Sequence, residues 1–191
     1  GIVYQPGDHV QVRWPRTMIF TAQWAKAEEL ARLRYDPNGG TPASCYPSDT
    51  GYSYKMNASA AVWDNVGIDG SAWFTRVGYT FTGWNTKADG SGTSYSSGAT
   101  YTTNAALTLY AQWKIDTYTI SYTLNGGSVA TANPTSYNVT TASFTLNNPT
   151  RTGYTFAGWT GTGLSAATKT VTVAKGSTGN RSYTATWTAN I

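Results

Sequence analysis

The chain has 191 residues, 40% hydrophobic and 14% aromatic; only 12% are Asp, Glu, Lys or Arg, where about 25% is usual for a soluble domain. That composition excludes intrinsic disorder, which combines few apolar residues with many charges. The net charge of +4 arises from basic residues scattered between Arg13 and Arg181 without a run, so the basic stripe of a nucleic-acid binder is missing.

Cys45 is the sole cysteine and His9 the sole histidine, which leaves no intrachain disulfide, no Cys/His zinc set and no histidine triad. No apolar run reaches the length of a membrane-spanning helix, and no cofactor or metal site is expected. The chain opens at Gly1 in what reads as the middle of a repeat, without a leading Met or signal peptide, so it is read as a piece of a longer protein. Thr, Ser, Tyr, Val and Gly supply most of its polarity and bulk, and β-branched and aromatic residues suit pleated sheets. A mainly β chain with little helix is predicted.

Taken in order, residues 1–25 form a partial unit that ends in Met18-Ile-Phe-Thr-Ala-Gln-Trp24. The stretch 26–34 is expected to be a linker or short helix, Ala25 to Leu33 being the one good helical candidate through its Ala, Glu and Leu content and a Glu28–Arg32 pair. A complete unit follows at 32–114. It contains Asn38-Gly39-Gly40 after an alternating stretch, a strong hairpin signal, then Arg76-Val-Gly-Tyr-Thr-Phe-Thr-Gly-Trp84 and a closing Leu107-Thr-Leu-Tyr-Ala-Gln-Trp113.

A second complete unit occupies 115–191. Tyr118, Ile120, Tyr122 and Leu124 alternate with Thr and Ser as in a strand with one buried face. Asn125-Gly126-Gly127, Arg151-Thr-Gly-Tyr-Thr-Phe-Ala-Gly-Trp159 and Arg181-Ser-Tyr-Thr-Ala-Thr-Trp187 then repeat the earlier marks. In the nonapeptide, strict alternation would turn the final Trp away from Tyr and Phe, so Gly83 and Gly158 are expected to mark a bulge that re-aims it inward. The middle unit also holds an insertion at about 44–74, with Cys45, Tyr46, Tyr52, Tyr54, Trp63, Trp73 and Phe74.

Three signatures in the same order in both complete units resemble the Listeria–Bacteroides repeat, also called the internalin B-repeat. The resemblance implies tandem small β-grasp (ubiquitin-like) modules, found in secreted or wall-attached bacterial surface proteins including adhesins. It places the chain outside the cell, and units of this length, each owning a core, are expected to be arranged as beads on a string.

Chemistry of the proton-transfer or covalent kind needs a titratable group and a partner within reach. From Thr117 to Ile191 there is no Asp, Glu, His or Cys, so the recurring motif cannot supply it, and no catalytic residue is expected. His9 reads as a turn residue, and Asp49, Asp64 and Asp69 as loop formers. Tyr79, Phe81, Trp84 and Trp113, their counterparts Tyr154, Phe156, Trp159 and Trp187, and Trp24 of the partial unit are expected to be structural core.

The insertion aromatics stay open between two roles. They extend the core or an interface with a neighbouring repeat, or Tyr52, Tyr54, Trp63 and Trp73 form a ligand-binding patch, since Tyr and Trp favour recognition surfaces and loops carry them. The expected role is a non-catalytic stalk or spacer with adhesive or protein-interaction function, its partners a host protein or glycan and the neighbouring repeats. The alternative is an accessory carbohydrate-binding module of a larger secreted enzyme.

Overall fold

The structure is a computed structural model that describes residues 30–42, 51–55, 60–66, 70–103 and 105–191, for 30–31 and 51–55 the backbone alone. The partial unit at 1–25 with Trp24, as well as His9 and Cys45, lie outside these residues. Every regular element among the described residues is a strand. They fall into two compact units divided between Lys114 and Ile115, with Val77–Thr80 grouping with the second.

In the first unit, β1 (Leu30–Asp36) pairs antiparallel with β3 (Gly51–Lys55) and parallel with β9 (Leu107–Ile115). Beyond β9 lie β6 (Tyr79–Asn85) and β7 (Ser94–Tyr95), completing a five-stranded sheet of order β3-β1-β9-β6-β7. Two short ribbons flank it: β2 (Thr41–Pro42) with β5 (Phe74–Thr75), and β4 (Ala60–Ala61) with β8 (Thr100–Tyr101).

The second unit repeats the plan with β10 (Tyr118–Thr123), β11 (Ser136–Tyr137), β12 (Phe144–Thr145), β13 (Tyr154–Gly161), β14 (Thr172–Val173) and β15 (Arg181–Ala189). Its sheet runs β11-β10-β15-β13, and β12 pairs with β14 as a separate ribbon. In both units the first and last strands are parallel neighbours. Parallel strands need a crossover, and here ribbons and turns provide it, with no helix among the described residues. This sheet order is compatible with the β-grasp expectation.

The predicted alternation sets the cores. Along β10, Ile120 is buried and Tyr118 and Tyr122 half-buried, while Thr119, Ser121 and Thr123 face solvent. Leu109 and Ala111 of β9, and Tyr183 and Ala185 of β15, are buried in the same way. One core gathers Leu33, Tyr35, Val62, Phe74, Trp84 and Leu109, the other Ile120, Tyr137, Leu146, Trp159, Val173 and Tyr183.

Residues Leu30 to Leu33 are strand, not the tail of a helix. Their Leu and Arg favour helix weakly, but pairing with β3 and β9 satisfies the backbone on both sides of β1, and Leu33 and Tyr35 are buried beneath it. Burial of an alternating face outweighs local propensity.

The nonapeptide does carry the expected bulge: the pairing of β13 with β15 shifts register between Phe156 and Gly158. Gly158 has φ 147°, and a Cβ there would stand 2.6 Å from the Thr168 backbone nitrogen. The extra residue rotates Trp159 into the core, where it is fully buried, and Trp84 of the first unit is buried likewise.

Truncating a buried aromatic of this size costs about 3–5 kcal/mol, as much as the whole net stability of a small domain. Trp159→Ala is therefore expected to abolish the melting transition of the second unit and leave that of the first, read by calorimetry. A melting curve that matches the unaltered chain would contradict the core role.

Candidate functional site

The three signatures of each unit converge on one place, where the first strand ends beside the last. Pro37-Asn38-Gly39-Gly40 and Leu124-Asn125-Gly126-Gly127 are both type I′ turns, with positive φ at the two central residues and closing bonds from Gly40 to Pro37 of 2.9 Å and from Gly127 to Leu124 of 3.0 Å. They are not hairpins. The chain leaving the turn joins other partners, β2 pairing with β5 and Ser128 bridging Thr150. The Asn side chain holds the turn against the last strand instead: Asn38 Nδ2 donates to the Ala111 carbonyl at 2.8 Å, and Asn125 Nδ2 to the Ala185 carbonyl at 2.9 Å.

The closing Trp fastens the same corner. Trp113 Nε1 donates to the Pro37 carbonyl at 2.9 Å, and Trp187 Nε1 to the Leu124 carbonyl at 3.1 Å. The second glycine of each turn lies against the indole so closely that a Cβ on Gly40 would be 2.6 Å from the Trp113 ring, and one on Gly127 would also overlap Trp187. Phe81 then bridges Trp113 and Trp84 edge to face at 5.7 and 5.0 Å, and Phe156 bridges Trp187 and Trp159, both at 5.5 Å. Each such pair contributes about 0.5–1.5 kcal/mol beyond its buried area.

Trp113, Trp187, Phe81 and Phe156 are thus half-buried, packed at the margin of each core rather than inside it; Tyr79 is half-buried at the start of β6 but belongs to neither core cluster. Tyr154 departs from the expected core role: it is 37% exposed, standing at the outer end of the β13–β15 ladder opposite Ala189. The Arg151 guanidinium lies over its ring at 3.7 Å. Around this pair runs an open groove of about 450 Å³, lined among others by Ser128, Thr150, Thr152, Phe156 and Trp187. The Asn of the turn and the Arg that begins the nonapeptide add to this corner beyond the expected aromatic residues, and their recurrence in both units is the sequence signal for them.

The insertion belongs to the first unit's core. Ala60, Val62 and Phe74 are buried, and Trp63 stacks on buried Tyr35 with centroids 4.7 Å apart and planes within 9°. Trp73 lies against Trp63 at 4.8 Å; both Trp residues keep part of their surface exposed. Asn65, buried with φ 61°, exchanges two bonds with the Phe74 backbone and closes this segment. The Trp63 carbonyl accepts the Trp84 indole N–H at 2.7 Å, the role that Asn148 Oδ1 fills for Trp159 at 3.0 Å. Tyr52 and Tyr54 sit on β3 opposite Leu33 and Ala31; their side chains lie outside the described residues.

Little of this is reactive chemistry. Among the described residues no group of three or more His, Cys, Asp or Glu is placed to hold a metal ion, and no helix is long and apolar enough to cross a membrane. The Asp89 carboxyl is held below its ordinary range by hydrogen bonds from Ser91. Burial, with Tyr183 beside it, pushes the Tyr122 phenol up to about 12, and its hydroxyl donates to the Pro134 carbonyl at 2.9 Å.

A family model for the Listeria-Bacteroides repeat domain matches residues 32–112 and 118–184. The chain belongs to this family. Two relatives from Evansella cellulosilytica are also similar. One, provisionally named a Gly-rich membrane protein, is 54% identical over 54 residues, which are 28% of this chain and 6% of the relative. The other, provisionally named a membrane protein, is 46% identical over 97 residues, 50% of this chain and 13% of the relative. The chain thus spans only a small part of the length of these relatives. No solved structure matches it significantly.

Both matched stretches contain the full turn and nonapeptide and the beginning of the closing strand; Trp113 and Trp187, which fasten the corner, follow just after them. The family is typical of bacterial surface proteins, and this chain is a repeat domain of that type.

The second repeat should respond to alkali. An unfolded tyrosine ionises near 10, whereas Tyr122 in the folded unit does so near 12, so the folded state retains a proton that the unfolded state has lost. Stability fully present below about pH 10 is then lost as pH rises from about 10 to 12. The melting temperature of the second unit should fall over that window, and Tyr122→Phe should make the fall shallower. An unchanged slope in Tyr122→Phe would show that this phenol is not responsible.

Proposed function

We propose that this repeat region is a non-catalytic stalk or spacer of a secreted or wall-attached bacterial surface protein, and that it also serves as an adhesive or protein-interaction module. One observation carries the proposal: in both units most of the recurring residues, the Arg and Tyr of the nonapeptide apart, are spent on building the fold. The Asn and Gly make the turn, the two Trp and the Phe make the aromatic ladder, and in the second unit the glycine before the buried Trp makes the bulge. A signature repeated for chemistry would leave titratable groups facing a cleft, and from Thr117 onward the second unit has no Asp, Glu, His or Cys side chain to place there.

The two relatives named as membrane proteins, each far longer than the aligned stretch, support a setting in which such units are parts of long surface chains. Repetition of one unit multiplies length, and it multiplies any weak contact with a host protein or glycan through avidity. Neighbouring repeats of the same chain are the partners always present.

A second reading, an accessory carbohydrate-binding module, is favoured by the adjacent and partly exposed rings of Trp63 and Trp73. Against it, Tyr35 already covers one face of Trp63, leaving Trp73 as the ring most able to stack on a sugar.

Small-angle scattering on the whole chain tests the spacer role: an elongated particle is expected, and a compact globule would overturn it. Glycan-array binding that is lost in Trp73→Ala would move the assignment to the carbohydrate module.

A further inference from the structure

We propose that each unit is a tension-bearing clamp, built so that a pull along the chain loads its central strand pair in shear. The proposal rests on the spacer reading for the origin of the load, and on the sheet geometry for the response. The load enters the second unit through the beginning of β10 and leaves through the end of β15. These strands are direct neighbours and parallel, in register from Ile120 opposite Arg181 to Thr123 opposite Thr184. Parallel alignment puts the entry and exit points at opposite ends of the pair.

The pulling direction therefore lies along the strands, and the ladder bonds between them share the load and have to fail together. Were the pair antiparallel, entry and exit would lie at the same end and the bonds would open one after another. The first unit has the same construction: β1 and β9 are parallel from Leu33 opposite Leu107 to Asp36 opposite Tyr110.

Three further features strengthen that seam. Its inward side is dry, because Ile120, Tyr183 and Ala185 are at most 3% exposed, as are Leu33, Tyr35, Leu109 and Ala111, so water is poorly placed to replace a stretched hydrogen bond. Past the last ladder pair, side chains continue the cross-linking: Asn125 to the Ala185 carbonyl and Trp187 to the Leu124 carbonyl, with Asn38 to Ala111 and Trp113 to Pro37 as the equivalents. Finally, β15 is the longest strand of its unit and is held on its other side by β13 from Tyr154 opposite Ala189 to Gly161 opposite Tyr183, so it cannot slide without breaking a second ladder.

The Asn of the turn and the closing Trp thus extend the cross-linking of the strand pair that bears the shear load. Resistance to force is set by the unfolding rate along the pulled direction rather than by equilibrium stability, so the clamp predicts a directional property that a merely stable fold lacks.

Single-molecule force spectroscopy on the whole chain, in a Cys45→Ser background, supplies the test. In one arm the handles are at the two termini. In the other, the C-terminal handle is moved to a cysteine introduced at Thr178, just before β15, so that β10 and β15 are peeled from one end while the first unit is still pulled end to end and serves as an internal reference. A handle at Lys175 repeats the peeling arm if attachment at Thr178 disturbs folding.

With terminal handles, the second unit should release roughly 250 Å of chain in one step, at a force similar to that of the first unit. In the peeling arm its rupture force should drop severalfold while the reference is unchanged, and Asn125→Ala should lower the end-to-end force without altering the peeling force. Equal rupture forces in the two arms would overturn the clamp, yet would leave the spacer role, which scattering tests, where it stood. An elongated particle with directional strength supports both.

Discussion

The indole N–H of the closing Trp donates to the carbonyl that ends the first strand, from Trp113 to Pro37 and from Trp187 to Leu124, and much of each unit is arranged around this bond. It fixes where the type I′ turn sits, which requires Asn and Gly at its centre, and it brings the ring so close that the following residue has to be glycine. It orients the ring edge toward Phe81 or Phe156, and through that Phe toward the buried Trp of the neighbouring strand. Three segments far apart in sequence are thereby tied to one corner, which is why they recur together in the chain.

Much of this was legible in the sequence, for physical reasons. Alternation along Tyr118 to Leu124 and along the closing strands gave the buried faces, since a half-buried strand can satisfy its sheet in no other period. The bulge at Gly158 was legible because Trp159 is out of phase with Phe156, and only an extra residue restores it. What escaped was long-range pairing. Leu30 to Leu33 looked helical from local content, and only β3 and β9, separated from it in sequence, make it a strand. The turns looked like hairpins because their dihedral demands are local, whereas the partner of the chain that follows is chosen by the whole fold. Tyr154 looked internal from its place in the motif, but it stands at the end of the β13–β15 ladder, beyond the core that Phe156 reaches, and is covered by Arg151.

The unusual composition follows from the same architecture. With Thr and Ser filling the outward positions of the strands, the surface needs few ionic groups to stay polar. Every acidic side chain lies at or before Asp116, and beyond that residue the second unit folds around its aromatic ladder with only basic side chains carrying charge. Its Arg residues are used at close range, Arg151 over Tyr154 and Arg181 bonded through Nε to the Tyr137 hydroxyl at 2.9 Å. Aromatic rings and phenol oxygens take up guanidinium groups that carboxylates would hold in a more charged protein.

The buried indole of the nonapeptide meets two different acceptors: the Asn148 side chain in the second unit, but the main-chain oxygen of Trp63 in the first. A main-chain carbonyl is offered by any amino acid. In the second unit the bond constrains the identity of residue 148, whereas in the first it constrains only the main-chain path at residue 63, so that the inserted side chains not committed to the core, as Ala60, Val62 and Phe74 are, can diversify without giving up the bond. The insertion is thus a licence for variation: a place where members of such an array can acquire different surfaces while retaining the same interior.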